Sequence, residues 1–292
     1  MKKIVIVSLI GRPNVGKSTL MNNLIKWELS IISPFVQTTR DEIRGIYNDE
    51  NSQIVFIDTP GIHKSVNKFS EKLNNKAYEN LKNVDVILFL TAANEEIGKG
   101  DQFIIDKLKE VKDIPKIAVI TKIDLENSEE VLKEKANKLK KLGFKKIFGV
   151  GLNFEQTYKD LIEEIKNYGN EGELLYDESY ITDVPMTFIA KEVIRENAVR
   201  NLYEDLPHSI AVKIDEFIEE PTIYKILATL YVKRNSQKAI IIGKDACVIK
   251  DISIRSRKKL RQIFDRNVYI NISVKVMPNW VNNDDDIKKL GY

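Results

Sequence analysis

Apolar residues fall along this chain in two alternating rhythms, and the alternation predicts a fold. Short, nearly continuous β-branched runs at 3–10, 53–57, 84–90, 116–120 and 146–150 have the length and composition of strands buried on both faces. Between them, apolar residues recur every three or four positions over 70–82, 99–111, 128–142 and 154–167, the spacing of helices packed along one side. A further strand at 41–48 is set off by the turn-like Asn48-Asp49-Glu50-Asn51-Ser52. Strands alternating with helices imply an α/β domain with a doubly wound, mostly parallel sheet. The rhythm breaks at Gly169-Asn170-Glu171-Gly172-Glu173, so residues 1–169 read as one domain and 170–180 as a linker. Residues 181–292 then read as a smaller α+β domain. It holds an amphipathic helix at 184–203 entered through Pro185, strands at 209–219 and 222–234, and a short segment at 237–242. A helix at 247–264 and a strand at 267–277 complete it.

One junction in this pattern carries chemistry. The strand at 3–10 runs into Gly11-Arg12-Pro13-Asn14-Val15-Gly16-Lys17-Ser18-Thr19, and helical spacing resumes at Leu20 and Leu24. Strand, G-x-x-x-x-G-K-S turn and helix form the context of a phosphate-binding loop, which an accidental Lys-Ser pair after a glycine turn would lack. Gly11 and Gly16 let successive N–H groups point at phosphate oxygens, and the helix start adds its positive end. Lys17 supplies a point charge for the β- and γ-phosphates, and the Ser18 hydroxyl is a magnesium ligand. The second strand ends in Asp58-Thr59-Pro60-Gly61, where Asp58 can hold magnesium through water and the Gly61 N–H can sense the γ-phosphate. Thr39, in Gln37-Thr38-Thr39-Arg40, is the candidate third magnesium ligand, with Thr38 the alternative. The strand at 116–120 delivers Thr121-Lys122-Ile123-Asp124. Asp124 can accept both the N1–H and the exocyclic amine of guanine, while the Lys122 stem lies on the base.

Composition changes the picture in one respect. With 292 residues, 30% charged and 43% hydrophobic, the chain has the make-up of an ordinary globular protein large enough for two cores. The net charge of +3 hides an asymmetry: residues 224–275 carry thirteen Lys and Arg against three acids, a net +10, leaving about −7 elsewhere. That points to a polyanionic partner for the second domain, against the plainer reading of solvated helix faces. A single cysteine, Cys247, excludes an internal disulfide and fits a reducing cytosol; it reads as a small packed residue. Two histidines and one cysteine make no soft-metal cluster. Met1-Lys2-Lys3 imitates the start of a signal peptide, but the apolar run after it leads straight into the phosphate loop. No stretch approaches the ~18–20 apolar residues of a spanning helix, so membrane contact would be peripheral.

The ordered set GRPNVGKS, QTTR, DTPG and TKID, with Ile62-His63-Lys64 and GKGDQFI at 98–104, resembles the Era family among the Era/TrmE-like, translation-factor-related GTPases. The α-β-β-α-α-β order of the second domain, with Ile241-Ile242-Gly243-Lys244-Asp245-Ala246 between two helices, resembles a type II KH domain. Such a module clamps about four nucleotides of single strand. The resemblance runs nearly the whole chain, to Leu290-Gly291-Tyr292. It implies GTP or GDP with Mg²⁺ at residues 11–19 (Arg12, Pro13, Asn14, Val15 and Thr19 included), at Asp58, Thr59, Pro60, Gly61 and Ile62, at Thr121–Asp124 with Ile123, and at Gly151 and Leu152. Lys17, Asn14 and Gly61 would carry the hydrolytic step. Ile62 stands where Ras-like proteins have a water-orienting Gln, so turnover is expected to be slow. Asn14 can help hold a stimulating K⁺, or simply bond its own loop. RNA would meet Lys233, Arg234, Lys238, Ile242, Gly243, Lys244, Asp245, Ala246 and Ile249, over an aliphatic floor that includes Ile241. Arg255, Arg257, Lys258, Lys259 and Arg261 would contact a second stretch of RNA or solvate a helix face.

The family further implies binding to the 3′ end of 16S ribosomal RNA during small (30S) subunit assembly, by a cytoplasmic monomer loosely associated with the inner membrane. Three positions depart from its pattern: Thr121 replaces Asn, Gly151-Leu152 replaces Ser-Ala, and Ala246 replaces the second loop glycine. An alanine forced to positive φ costs about 1 kcal/mol. The reading from another class is an RNA-binding module with little GTP turnover.

Overall fold

A strand buried on both faces has no polar side, and β3 (Ser52–Asp58) and β4 (Val86–Ala92) are buried at every position. In the computed structural model, which describes residues 1–27, 29, 42–62, 67–79, 81, 83–126, 128–200 and 210–292, they flank β1 (Lys2–Gly11). The chain forms two compact units; the first ends at Asp183, and the second comprises Val184–Tyr292 together with, among the described residues, Asn67–Phe69. In the first, the sheet order is β2-β3-β1-β4-β5-β6. Strands β5 (Lys116–Thr121) and β6 (Lys146–Gly149) continue the parallel pairing, and β2 (Ile43–Asn48) closes the edge antiparallel to β3. On one face α1 (Lys17–Ile25) packs with α5 (Glu155–Lys166). The other face is sealed by α2 (Lys68–Glu79), α3 (Lys99–Glu110) and α4 (Glu129–Lys141), where Ala77, Ile104, Leu108 and Leu139 meet Ile10, Ile57, Ile87 and Phe89. The sheet is doubly wound, and its elements fall within a few residues of the positions the periodicity predicts.

The linker expected at 170–180 is absorbed into this first unit. Residues Asn170–Gly172 form β7, antiparallel to the start of β1, and 174–183 run along β2 and β3. Fully buried Gln53 donates its amide to the Tyr176 carbonyl at 2.9 Å and accepts the N–H groups of Leu175 and Tyr176 at 2.8 and 3.1 Å. Ile46 N–H donates to the Ile181 carbonyl, the Thr182 hydroxyl to the Arg44 carbonyl at 2.7 Å, and Arg44 pairs with Asp183 at 3.3 Å. The physical reason is the edge: β2 has a free ladder side, and a polar strap covers it. A polar, turn-rich composition looks the same in a strap and in a loose connection.

In the second unit α6 (Met186–Arg200), β8 (Ala211–Glu219), β9 (Ile223–Val232), α7 (Asn235–Ile242), α8 (Cys247–Phe264) and β10 (Asn267–Val276) follow the expected α-β-β-α-α-β order. The sheet order is β10-β9-β8, with β10 parallel and β8 antiparallel to β9. Alternate residues of β9 (Tyr224, Ile226, Ala228, Leu230 and Val232) are buried, which is the period-two signature of a one-faced core. The amphipathic helix expected at 184–203 is buried over its whole length from Ile189 to Val199. Its charges are neutralised in place, Glu192 by Arg195 and Glu196 by Arg200 and Lys259. A short α9 (Asp284–Lys289), capped by the Asn283 side chain, ends the chain.

Replacing Gln53 with Ala removes four hydrogen bonds at a buried site, three to the strap and one to the Asn48 side chain. Chemical unfolding should show a loss of about 2–3 kcal/mol, and limited proteolysis should cut first within 174–183.

Candidate functional site

Gly11 ends β1 because nothing larger fits: a Cβ there would lie 2.6 Å from the Leu90 carbonyl oxygen. The loop then turns through Asn14 at φ 62° and Gly16 at φ 96° before α1 begins at Lys17. Asn tolerates that left-handed conformation through its short polar side chain. Lys17 is 6% exposed, and its ammonium donates to the carbonyls of Gly11 and Arg12 at 3.3 and 3.0 Å. Burial pushes its pKa down to about 8, against the attraction of Asp58. Ser18 Oγ donates to Asp58 Oδ2 at 2.7 Å, joining two of the three expected magnesium ligands. Thr39, its alternative Thr38, and His63 and Lys64 lie outside the described residues.

The DTPG segment leans directly on the phosphate loop. A Cβ on Gly61 would stand 2.7 Å from Pro13 Cα, and the Ile62 N–H donates to the Gly11 carbonyl at 3.2 Å. The Ile62 side chain is fully buried in the core, and the Thr59 hydroxyl is tied to the Leu9 carbonyl at 2.7 Å. Both side chains therefore hold the segment in place.

At the base-reading end, Thr121 is buried and its hydroxyl donates to the Val15 carbonyl, so the residue standing in for Asn braces the phosphate loop. Lys122 adopts φ 58° at the head of the one-turn 3₁₀ segment Ile123–Leu125 that carries Asp124. The Leu152 N–H donates to Asp124 Oδ1 at 3.0 Å. A Cβ on Gly151 would come within 2.8 Å of that oxygen, so glycine at this departure from the family pattern permits the contact. The Leu152 N–H, expected on the guanine oxygen, here orients the carboxylate.

Arg12, placed by its motif among the nucleotide contacts, has its side chain elsewhere. Its guanidinium pairs with Asp101, in the first turn of α3, at 2.8 Å, and with Glu95, in the turn between β4 and α3, at 2.7 Å. Burial works against that charge, but the hydrogen bond and charge of Asp101, then of Glu95, outweigh it and raise the pKa. Glu95, Asp101 and the buried Lys135, which donates to the Ala92 and Glu95 carbonyls, were not singled out from the sequence. The only signal was the GKGDQFI run.

In the second unit α7 and α8 meet at Gly243-Lys244-Asp245-Ala246. Gly243 sits at φ 73°, Asp245 at 51° and Ala246 at 59°. The alanine therefore occupies the left-handed conformation that favours glycine and carries the strain foreseen for it. Lys244 and Asp245 are exposed, as is Arg234; Ile242, Ile249, Lys233 and Lys238 are half-buried around them. Ile241 is fully buried in the core and cannot floor a groove, whereas its neighbour Ile240 is 50% exposed. Cys247, the first residue of α8, is exposed rather than packed. On α8 Arg255 pairs with Asp251 and Lys259 with Glu196, whereas Arg257, Lys258 and Arg261 have no ion pair among the described residues.

A family model described as a 50S ribosome-binding GTPase matches residues 6–122, and a KH domain model matches residues 205–281. GTPase Era of Mycoplasmopsis pulmonis is 51% identical over 291 residues, covering 98% of this chain and 99% of the relative. GTPase Era of Mycoplasmopsis agalactiae is 47% identical, with 99% of each covered. A crystal structure of Era in complex with MgGDPNP and nucleotides 1506-1542 of 16S ribosomal RNA superposes with a TM-score of 0.94 at 34% identity, over 100% of this chain and 99% of that one. One of a single-residue variant of Aquifex aeolicus Era bound to GDP.AlF4- gives 0.93 at 35% identity, over 99% of both.

Three expectations follow from the geometry. A Lys17 pKa lowered to about 8 from 10.5 disfavours the charged form in the empty fold, so stability of the empty protein should rise with pH between those values. Phosphates demand the charged form, so GDP affinity should fall as pH passes 8, with proton uptake visible when calorimetry is repeated in buffers of different ionisation enthalpy. Ala246→Gly should relieve left-handed strain and raise stability by up to about 1 kcal/mol in thermal unfolding, less the entropy that glycine adds to the unfolded chain.

Proposed function

The chain belongs to the Era family of GTPases, and from that premise we propose that its GTP cycle gates binding of the 3′ end of 16S ribosomal RNA during small-subunit assembly. The chain hydrolyses GTP; the proposal concerns which residues do so, and to what end. Its main support is the presence in one chain of two backbone cradles, the loop at 11–17 and the turn at 243–246, each built around positive-φ residues and each beside a lysine. The family model for the first unit speaks of the 50S subunit, but the relative crystallised with RNA holds a 16S segment, which favours the small subunit.

Lys17 and the N–H groups of residues 14–17 receive the β- and γ-phosphates, with Lys17 leaving the Gly11 and Arg12 carbonyls for the phosphate oxygens. Two hard oxygen donors, Ser18 Oγ and Asp58 Oδ2, lie 2.7 Å apart and fit Mg²⁺, with Thr39 as the further ligand in this reading. The metal would neutralise charge building on the phosphates. Gly61 offers its N–H to the γ-phosphate, and Asp124, already oriented by Leu152, reads guanine. Ile62 points into the core and orients no water, so the step is slow, and a K⁺ beside Asn14 would speed it. Lys244 and the half-buried Ile242 and Ile249 grip the RNA backbone and bases, aided by Lys233, Arg234 and Lys238. The protein acts as a cytoplasmic monomer. Among the described residues no helix is long and apolar enough to cross a membrane, so any association with the inner membrane is peripheral.

The test is GTP and ATP turnover with Mg²⁺, in Na⁺ and in K⁺, with and without an oligonucleotide of the 16S 3′ end. GTP-selective turnover that changes with RNA is expected. Lys244→Asp should weaken RNA binding by about tenfold or more, through loss of a phosphate contact and added repulsion, and leave RNA-free hydrolysis unchanged. RNA affinity that ignores the substitution would remove the turn at 243–246 from the interface.

A further inference from the structure

The ion pairs of Arg12 lie outside the nucleotide chemistry, yet they bear on the most important cation in the site. Asp101 is fully buried at the start of α3. Its Oδ2 accepts the Gly98 N–H at 3.0 Å, closing the cap of that helix, and lies 2.8 Å from Arg12 Nε. Glu95 meets the other end of the guanidinium at 2.7 Å. Gly100 makes room for the arginine stem, since a Cβ there would fall 2.7 Å from Arg12 Cδ. The turn that carries Glu95 is itself fixed, because Lys135 reaches from α4 to the main-chain carbonyls of Ala92 and Glu95. The Ala93 N–H, in the same turn, donates to the Thr121 carbonyl at 2.8 Å. The main chain of Arg12 in turn accepts the Lys17 ammonium at 3.0 Å. Buried carboxylate, guanidinium, peptide carbonyl and phosphate-binding lysine thus form one continuous line.

We propose that Asp101, assisted by Glu95, is a positioning residue for the GTPase reaction: through Arg12 it sets the backbone of the phosphate loop and the place from which Lys17 meets the nucleotide. Asp101 touches neither nucleotide nor metal. The turn between β4 and α3 is a bracket anchored to the phosphate loop through Arg12 and to the base-reading strand through Thr121. A solvated surface ion pair would contribute little. This one is tied to a carboxylate without exposure, and the loop it holds offers its own N–H groups to phosphate.

The experiment compares Asp101→Asn, Arg12→Met, their combination, and Gly100→Ala. Asn can still accept the Gly98 N–H, so the cap of α3 survives and only the charged link to Arg12 is lost; Met keeps an unbranched apolar stem. Loop N–H groups and Lys17 hold the phosphates in ground state and transition state alike. Each single substitution should therefore raise the Kd for GDP and GTP, and KM, by about tenfold, with kcat at saturating GTP within about twofold of the parent. The double variant should lose no more than either single one, because both break the same link. A merely structural role would lower Tm and leave nucleotide affinity of the folded protein unchanged, and that result would overturn the proposal. So would losses that multiply to about a hundredfold in the double variant, the mark of independent residues. Should Arg12→Met fail to fold, Asp101→Asn and Gly100→Ala carry the same comparison.

Discussion

A turn that keeps its N–H groups for a ligand cannot be held in shape by those groups. This constraint governs residues 11–17, and the neighbouring structure answers it from every side. Thr121 takes the Val15 carbonyl, the Ile62 N–H takes the Gly11 carbonyl, Gly61 lies flush on Pro13, and Arg12 is drawn to Asp101 and Glu95. None of these uses the loop's own donors. The sheet brings the ends of β1, β3, β4 and β5 to one edge, which places all four braces within reach. The same logic explains why glycine is needed at Gly11 and Gly61, where backbone presses against backbone.

The first unit was legible because parallel strands covered on both faces read as unbroken apolar runs, and helices beside them keep a 3.6-residue period. Motif residues at strand ends, such as Asp58 and Thr121, followed from the strands. What escaped depends on partners distant in sequence. Glu95, Asp101 and Lys135 look like ordinary surface charges on helices and turns until the fold buries Asp101 and Lys135. The strap at 174–183 has the composition of a linker; only the open edge of β2 gives it a function. In α6 a polar face that should meet water is buried and paired, which no periodicity reveals. Between Ile240, Ile241 and Ile242 a helix turns about 100° per residue, so adjacent isoleucines in one run face core, groove and solvent.

The departures from the family pattern have different physical weights. Thr121 performs the bracing expected of Asn with a shorter side chain, because its hydroxyl reaches the Val15 carbonyl. Gly151 gives up a side chain and in exchange lets Asp124 approach the Leu152 N–H. Ala246 keeps the turn conformation at a conformational cost.

The buried ammonium of Lys17 has a consequence for the protein's lifetime. In the empty protein a desolvated cation rests on two peptide carbonyls, a poorer arrangement than a phosphate oxygen would offer. Nucleotide is thereby part of what keeps the first unit folded: at about a hundred times its Kd, a ligand bound only by the native state adds about 2.7 kcal/mol. A cell depleted of guanine nucleotide, GDP as well as GTP, would withdraw that support. The population open to proteases would then grow, so the abundance of the protein, and not only its activity, would follow the supply of guanine nucleotide.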